Sequence, residues 1–146
     1  MHKPVNQDQP YALKAGEGWT YRYDVDFTVK SGEIRAGGSA AFLEFITNKG
    51  EEPPSHTHPT EDEMFYVVEG ALTFHCGEQT FDLEKGGFIF LPKGIQHSYT
   101  IHSQDPVQLI VVTSHSTGEL AVGWGGFVAE LESNQSKLVS EPPHVS

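Results

Sequence analysis

Three histidines and one glutamate have the residue types and the spacing that could bind a metal ion. His56 and His58 stand two positions apart, so their side chains point to the same side wherever the chain is extended. Glu63 follows five residues after His58, and His97 comes much later, just beyond a Pro-Gly turn. Imidazole nitrogens combined with a carboxylate oxygen suit first-row transition metals. Four such ligands leave one or two positions open on a five- or six-coordinate metal, which indicates a catalytic or ligand-binding site.

The glycines and prolines around these four residues decide how the pattern is interpreted. By itself, a His-x-His pair in a Pro-rich loop is more often a solvated loop than a metal site. Here the pair lies in a longer frame, which reads Gly50-(5)-His56-x-His58-(4)-Glu63-(6)-Gly70 and then, 15 residues later, Gly86-(5)-Pro92-x-Gly94-(2)-His97. The glycines fall at loop starts and strand ends, where a positive φ or close packing is needed.

These two segments resemble the paired motifs of the cupin superfamily and cover about a third of the chain. The resemblance implies that His56, His58, Glu63 and His97 hold one divalent transition metal, with Fe, Mn, Co, Ni, Cu and Zn not distinguished. It departs from the family at Ile101, where the second motif usually carries Asn, and this puts the packing of the local turn in question. The implied fold is all-β, an antiparallel double-stranded β-helix or jelly-roll barrel with at most a short C-terminal helix.

The flanking segments are similar to those of small single-domain cupins of the quercetin 2,3-dioxygenase type. They are Gly16-Glu17-Gly18-Trp19, Phe42-Leu43-Glu44-Phe45, Pro53-Pro54 and the stretch from Glu61 to Val67. This likeness implies an oxidoreductase, a metal-dependent dioxygenase of an aromatic or enolic small molecule, with Glu63 as catalytic base. The alternatives are a cupin that binds metal and a small ligand without turnover, and an isomerase or lyase that uses the same site.

Strand parity predicts which residues lie on the same side as the metal ligands. Phe65 shares parity with Glu63, and Tyr99 shares parity with His97, so each could line a substrate pocket or simply pack in the core. His75 is predicted to lie on a strand surface rather than to be a fifth ligand.

Short strands separated by regular turn signals predict the scaffold that must position these residues. Strict alternation of apolar and polar residues over 20–30 predicts one long amphipathic strand. Further strands are predicted over 40–47, 63–69, 71–76, 79–83, 88–91, 96–101 and 107–113, with the last of these in the centre of a sheet and Gly77-Glu78 as a two-residue hairpin turn. We expect one barrel domain over residues 1–131, with a weak helix over 126–132, and a flexible tail over 132–146.

The composition limits the partners and the location. The formal net charge of −11 disfavours nucleic acid and anionic lipid, and no stretch is apolar enough for a membrane span. A single cysteine and an N-terminus without an apolar leader region predict a cytoplasmic protein. The expected partners are a small-molecule substrate, possibly aromatic, and a second copy in a homodimer, for which the strand over 20–30 is the predicted contact.

Overall fold

The computed structural model describes residues 10–32, 40–58, 61–114 and 123–143. Within these ranges the chain forms ten strands and one α-helix. The strands are β1 (Trp19–Arg22), β2 (Asp26–Ser31), β3 (Ala41–Thr47), β4 (Glu63–Glu69), β5 (Ala71–Cys76), β6 (Gln79–Glu84), β7 (Phe88–Leu91), β8 (His97–Thr100), β9 (Val107–Thr113) and β10 (Leu138–Ser140). The helix α1 spans Gly123–Ser133, and a 3₁₀ turn follows at Gln135–Lys137.

Two antiparallel sheets face each other across one core. The large sheet has the strand order β10-β1-β2-β3-β9-β4-β7, and the small sheet has the order β6-β5-β8. This arrangement confirms the predicted all-β jelly-roll, and β9 lies in the middle of the large sheet as its continuous apolar run indicated. Alternate residues of each strand point inward, which is why Leu43, Val67 and Leu109 are fully buried while their neighbours are not.

The predicted long strand over 20–30 is wrong, because the chain folds back on itself within it. β1 and β2 form a hairpin in which Arg22 pairs with Asp26, so Tyr23, Asp24 and Val25 make the turn. A three-residue turn preserves the alternation of inward and outward side chains, since Tyr21 before the turn and Phe27 after it both face the core. Periodicity alone therefore could not reveal the reversal.

The predicted flexible tail is also wrong over residues 132–143. Helix α1 runs to Ser133, and β10 pairs with β1 through Thr20↔Ser140 and Tyr21↔Leu138. Val128 and Leu131 of the helix are buried in the core, and Leu138 packs against it. These few apolar residues are separated by polar ones, so the sequence shows no periodic pattern there. Residues 144–146 lie outside the described ranges.

No helix among the described residues is long and apolar enough to cross a membrane. The absence of nucleic-acid partners and the cytoplasmic location stay predictions.

Two motif glycines with the same backbone conformation give a test of how the barrel is packed. Gly70 and Gly86 have φ of +92° and +88°, but a Cβ on Gly70 would lie 2.8 Å from the Pro106 carbonyl oxygen, whereas a Cβ on Gly86 would meet open space. We expect Gly86→Ala to cost about 1–2 kcal/mol of unfolding free energy, the cost of the left-handed conformation alone. Gly70→Ala should cost about 2–4 kcal/mol, because a backbone clash is added. Urea unfolding of both variants measures the two losses of unfolding free energy. Equal losses would show that Gly70, at the end of β4, does not lie as close to residues 106–107 as described.

Candidate metal centre

His56 and His97 are brought together by their own backbones. The His56 N–H donates to the His97 carbonyl at 3.0 Å, and the His97 N–H donates to the His56 carbonyl at 2.8 Å. Residues paired in this antiparallel way carry their side chains on the same side of the ladder. The two imidazole Nε2 atoms accordingly lie 3.1 Å apart.

His58 and Glu63 complete the cluster from two further elements. The His58 carbonyl accepts a hydrogen bond of 2.9 Å from the Gly94 N–H, which holds the loop against the turn before β8. Glu63 begins β4 and is paired on both sides, with Leu91 of β7 and Thr113 of β9. Glu63 Oε2 lies 2.7 Å from His58 Nε2 and 3.0 Å from His97 Nε2. One donor atom from each of the four residues falls within 4.8 Å of the others.

Several of the clustered ligand atoms have no hydrogen-bond partner. Glu63 is fully buried, yet neither of its carboxylate oxygens, nor His58 Nε2, has a partner with hydrogen-bond geometry in the described part of the chain. Buried polar atoms are rarely left in this condition, because each one costs free energy when it is desolvated. A cation at the point where the lone pairs converge would satisfy them together, so the cluster is compatible with a single metal site.

The loop before the histidines fixes the orientation of one ring. His56 Nδ1 lies 2.8 Å from the Pro54 carbonyl oxygen. A carbonyl oxygen can only accept, so Nδ1 carries the proton and the lone pair resides on Nε2, which faces the cluster. The Pro54 carbonyl therefore orients the His56 ring as a ligand.

The electrostatics of the cluster favour an ionised glutamate. Burial opposes the charged form of Glu63, but the contacts with His58 and His97 outweigh it and lower the pKa of Glu63 to about 2. Burial also disfavours the His58 imidazolium, yet the adjacent Glu63 carboxylate raises the pKa of His58 overall. Burial lowers the pKa of His56, which keeps that ring neutral and available as a ligand.

The cluster opens onto an apolar cavity of about 640 Å³. His56 and His58 reach its wall, while Glu63 and His97 are not among the residues that line it. The rest of the wall is mainly aromatic and proline side chains, with three carboxylates; these residues include Tyr23, Phe27, Phe45, Tyr99, Phe127, Pro53, Pro54, Asp24, Glu51 and Glu52.

The structure separates the two predicted pocket residues. Tyr99 lines the large cavity, and burial raises the pKa of its hydroxyl, which interacts with the buried Thr47. Phe65 does not line that cavity; it is 3% exposed and lies beside a much smaller cavity next to His56 and His97. Phe65 belongs to the core that supports the site, where it packs against Phe74 and Tyr99.

His75 lies away from the cluster, as predicted for a strand-surface residue. Its neighbour Cys76 pairs with His97 on the inward side, so His75 projects to the opposite side and contacts the Thr100 hydroxyl through Nε2 at 3.1 Å.

Two features of the cavity wall were missed from the sequence. Phe127 enters the wall from helix α1 and packs edge-on against Tyr23 and Phe27, a contact between distant segments that no local pattern shows. Glu52 accepts hydrogen bonds from the Gly50 and Ile101 N–H groups at 2.7 and 3.0 Å, and these hold the loop to the end of β8. No sequence pattern marks Glu52, because its partners are backbone N–H groups; the Ile101 side chain itself is fully buried in the core.

Comparison with known proteins agrees with this architecture. A protein-family model described as a cupin domain matches residues 43–113, which include all four clustered residues. This part of the chain belongs to the cupin superfamily. Quercetin 2,3-dioxygenase of Bacillus subtilis (strain 168) is 26% identical to this cupin over 149 residues, which cover 99% of this chain and 41% of that protein. The cupin thus spans well under half the length of this curated relative.

Solved structures share the fold at low sequence identity. The cupin domain of Schizosaccharomyces pombe Cnp3 aligns with a TM-score of 0.57 and 19% identity, covering 64% of this cupin and 63% of that chain. A predicted oxalate decarboxylase of Thermotoga maritima aligns with a TM-score of 0.60 and 16% identity, covering 76% and 97%. At these identities the likeness concerns the fold alone, and it confirms the jelly-roll.

Removal of one ligand tests the centre without any assumption about activity. We expect the purified wild-type cupin to bind one divalent transition metal per chain, and His97→Ala to lower the affinity by about tenfold to a hundredfold or more, as loss of metal-site support does elsewhere. His75→Ala is the matched control, since it removes an imidazole from the same sheet without touching the cluster. Metal titration with elemental analysis gives both numbers. Equal binding by the wild type and His97→Ala would place the metal elsewhere.

Proposed function

We propose that this cupin is a metal-dependent dioxygenase that acts on an aromatic or enolic small molecule. The observation that carries the proposal is the junction of the four-residue cluster with an apolar, aromatic cavity of about 640 Å³. A cavity of that size holds a molecule of two or three rings. The similarity to a quercetin 2,3-dioxygenase over almost the whole chain supports the same class of reaction.

His56, His58, Glu63 and His97 would hold the metal, and this ligand set leaves at least one position open for substrate. The bound metal would act as a Lewis acid that stabilises an enolate oxygen of the substrate, and it would assist the activation of dioxygen.

The cavity wall would bind and orient the substrate. Phe27, Phe45 and Phe127 offer ring faces and edges to a flat molecule, and they exclude water from the reacting atoms. The raised pKa of Tyr99 keeps its hydroxyl protonated at neutral pH, so that it is a neutral polar group within an apolar wall. These residues determine which substrate is held beside His56 and His58.

Glu63 is proposed as the base that accepts the proton of a substrate hydroxyl. Its pKa of about 2 means that the carboxylate is ionised at neutral pH, and Oε1 has no hydrogen-bond partner among the described residues. The same low pKa makes Glu63 a weak base, so the proton would be held there only transiently. His56 and His58 line the cavity and Glu63 does not, so the substrate hydroxyl would have to reach Glu63 past these histidines.

Substitution of Glu63 distinguishes its role as a metal ligand from its role as a base. Glu63→Gln keeps an oxygen donor of nearly the same shape but cannot take up a proton near neutral pH. We expect part of the metal to stay bound while oxygen consumption with a flavonol or diketone substrate falls by roughly a hundredfold or more. His97→Ala should instead lose metal and activity together. Metal content and oxygen uptake are measured on the same preparations.

The result also decides between an enzyme and a binding protein. If Glu63→Gln retains both metal and full turnover, the assignment of Glu63 as base is wrong. If the metal-loaded wild type binds aromatic ligands but consumes no oxygen with any of them, the cupin binds its ligand without turnover.

The charges around the cavity predict which ligands are rejected. Asp24, Glu51 and Glu52 line it, and no lysine or arginine is among its described lining residues. We expect a sulfonated flavonol to bind about tenfold more weakly than its neutral parent at low salt, with the gap narrowing as salt rises. Asp24→Asn combined with Glu51→Gln should narrow the gap as well. Ligand fluorescence titration measures the four affinities, and equal binding of both flavonols by the wild type would contradict a role for these carboxylates.

A further inference from the structure

One row of inward side chains crosses the large sheet at the level of the metal cluster. From β3 through β9 and β4 to β7 it runs Ala41, Thr113, Glu63 and Leu91. Directly paired residues of antiparallel strands carry their side chains on the same face, with Cβ atoms about 4.5–5.5 Å apart. All four residues are buried, so the row lies in the core. Glu63 therefore has a polar neighbour in this row, Thr113, on one side and the apolar Leu91 on the other.

The hydroxyl group of Thr113 is buried without a hydrogen bond. The residue is 0% exposed, and its Oγ1 has no partner in the described part of the chain. A buried hydroxyl in this condition costs free energy, because it has given up its hydrogen bonds to water. Valine has almost the same shape and is also β-branched, so it would fill the position without that cost. Packing and strand propensity therefore do not explain why the residue is a threonine.

The two oxygens of the Glu63 carboxylate have different surroundings. Oε2 lies 2.7 Å from His58 Nε2 and 3.0 Å from His97 Nε2, which places it with the other donor atoms of the cluster. Oε1 is also buried, and no described residue donates a hydrogen bond to it. Carboxylates that bind metals are in turn hydrogen-bonded to neighbouring groups. The site is therefore one donor short, at Oε1.

We propose that Thr113 is a positioning residue for the metal centre, and that its hydroxyl donates a hydrogen bond to Glu63 Oε1 when the cluster holds a metal. The two residues are already opposite each other in the sheet, so side-chain rotation can bring the hydroxyl to the carboxylate. The threonine hydroxyl has one proton to donate, and a carboxylate oxygen accepts. The contact satisfies both unpaired atoms at once.

This hydrogen bond orients the carboxylate. A carboxylate that is held at neither oxygen can turn about the last bond of its side chain. With Oε1 held by Thr113, that rotation is restricted and Oε2 stays beside His58 and His97. Oε1 keeps a second lone pair, so the contact is compatible with Glu63 as the proposed base. This role of Thr113 concerns the metal centre and does not depend on the proposed reaction.

Replacement of the hydroxyl by a methyl group tests the proposal through metal affinity. Thr113→Val keeps the shape of the side chain but has no proton to donate, and we expect its dissociation constant for cobalt to rise by about tenfold or more. Thr113→Ser keeps the donor, so it should bind cobalt nearly as tightly as the wild type. Thr73→Val is the matched control, because Thr73 is a buried threonine of the small sheet that contacts Asp82 and His102 instead. Competition titration of the full chain with a chelator measures the four constants.

The stability of the metal-free protein separates positioning from packing. The Thr113 hydroxyl is unpaired in the described structure, so its removal should leave the urea midpoint of the metal-free chain unchanged or raise it. A residue with only a structural role would instead lower metal-free stability and metal affinity together. We therefore expect Thr113→Val to bind cobalt more weakly without any loss of metal-free stability.

Cobalt binding by Thr113→Val that equals that of the wild type overturns the proposal, and so does a Thr113→Ser variant that binds as weakly as Thr113→Val. A lower urea midpoint of metal-free Thr113→Val also overturns it, because the hydroxyl then serves folding. A loss of affinity in Thr73→Val as large as that in Thr113→Val has the same consequence. A wild type that binds no cobalt overturns the proposal together with the metal centre, whereas the proposed reaction is tested separately by oxygen uptake.

Discussion

The reciprocal backbone pair between His56 and His97 is the interaction on which the site depends. It is a single antiparallel bridge outside the named strands, made by a loop residue and the first residue of β8. Beside it, the loop of residues 48–58 is held by the Gly94 N–H bond to the His58 carbonyl, by the Ile101 N–H bond to Glu52, and by a Ser55 hydroxyl bond of 3.4 Å to the His97 carbonyl. Because both imidazoles project from the same side of this pair, a backbone hydrogen-bond pattern sets the distance between two ligands.

The two sheets contribute differently to the cluster, and their packing positions Glu63 and His97. Glu63 is fixed in the large sheet with a paired strand on each side, while His97 begins a strand of the small sheet. Their meeting requires the sheets to keep their separation, which is set by the buried aromatic packing of Phe65, Phe74 and Tyr99 directly beneath. Sites held by packed elements keep their geometry better than sites carried by loops alone. Core packing and ligand geometry are therefore one constraint in this protein.

Most strand positions and the four clustered residues were predicted from the sequence, because both correspond to local sequence patterns. β4, β5, β7 and β9 have the predicted bounds, since each combines an apolar pattern with a glycine or turn signal at its ends. The hairpin at Tyr23–Val25 and the pairing of β10 with β1 were missed because they depend on contacts between distant segments. Phe127 was missed as a cavity residue for the same reason, and Phe65 was assigned by parity, which gives the side of a strand but not the neighbours on that side.

X-ray absorption spectroscopy of the protein loaded with one equivalent of cobalt or manganese tests the central claim most directly, namely that His56, His58, Glu63 and His97 bind one metal ion. The account predicts a first shell of nitrogen and oxygen at about 2.0–2.2 Å, with the outer-shell scattering of three imidazole rings, falling to two rings in His97→Ala. A first shell of water and carboxylate oxygen without imidazole scattering, or a spectrum unchanged in His97→Ala, would contradict it.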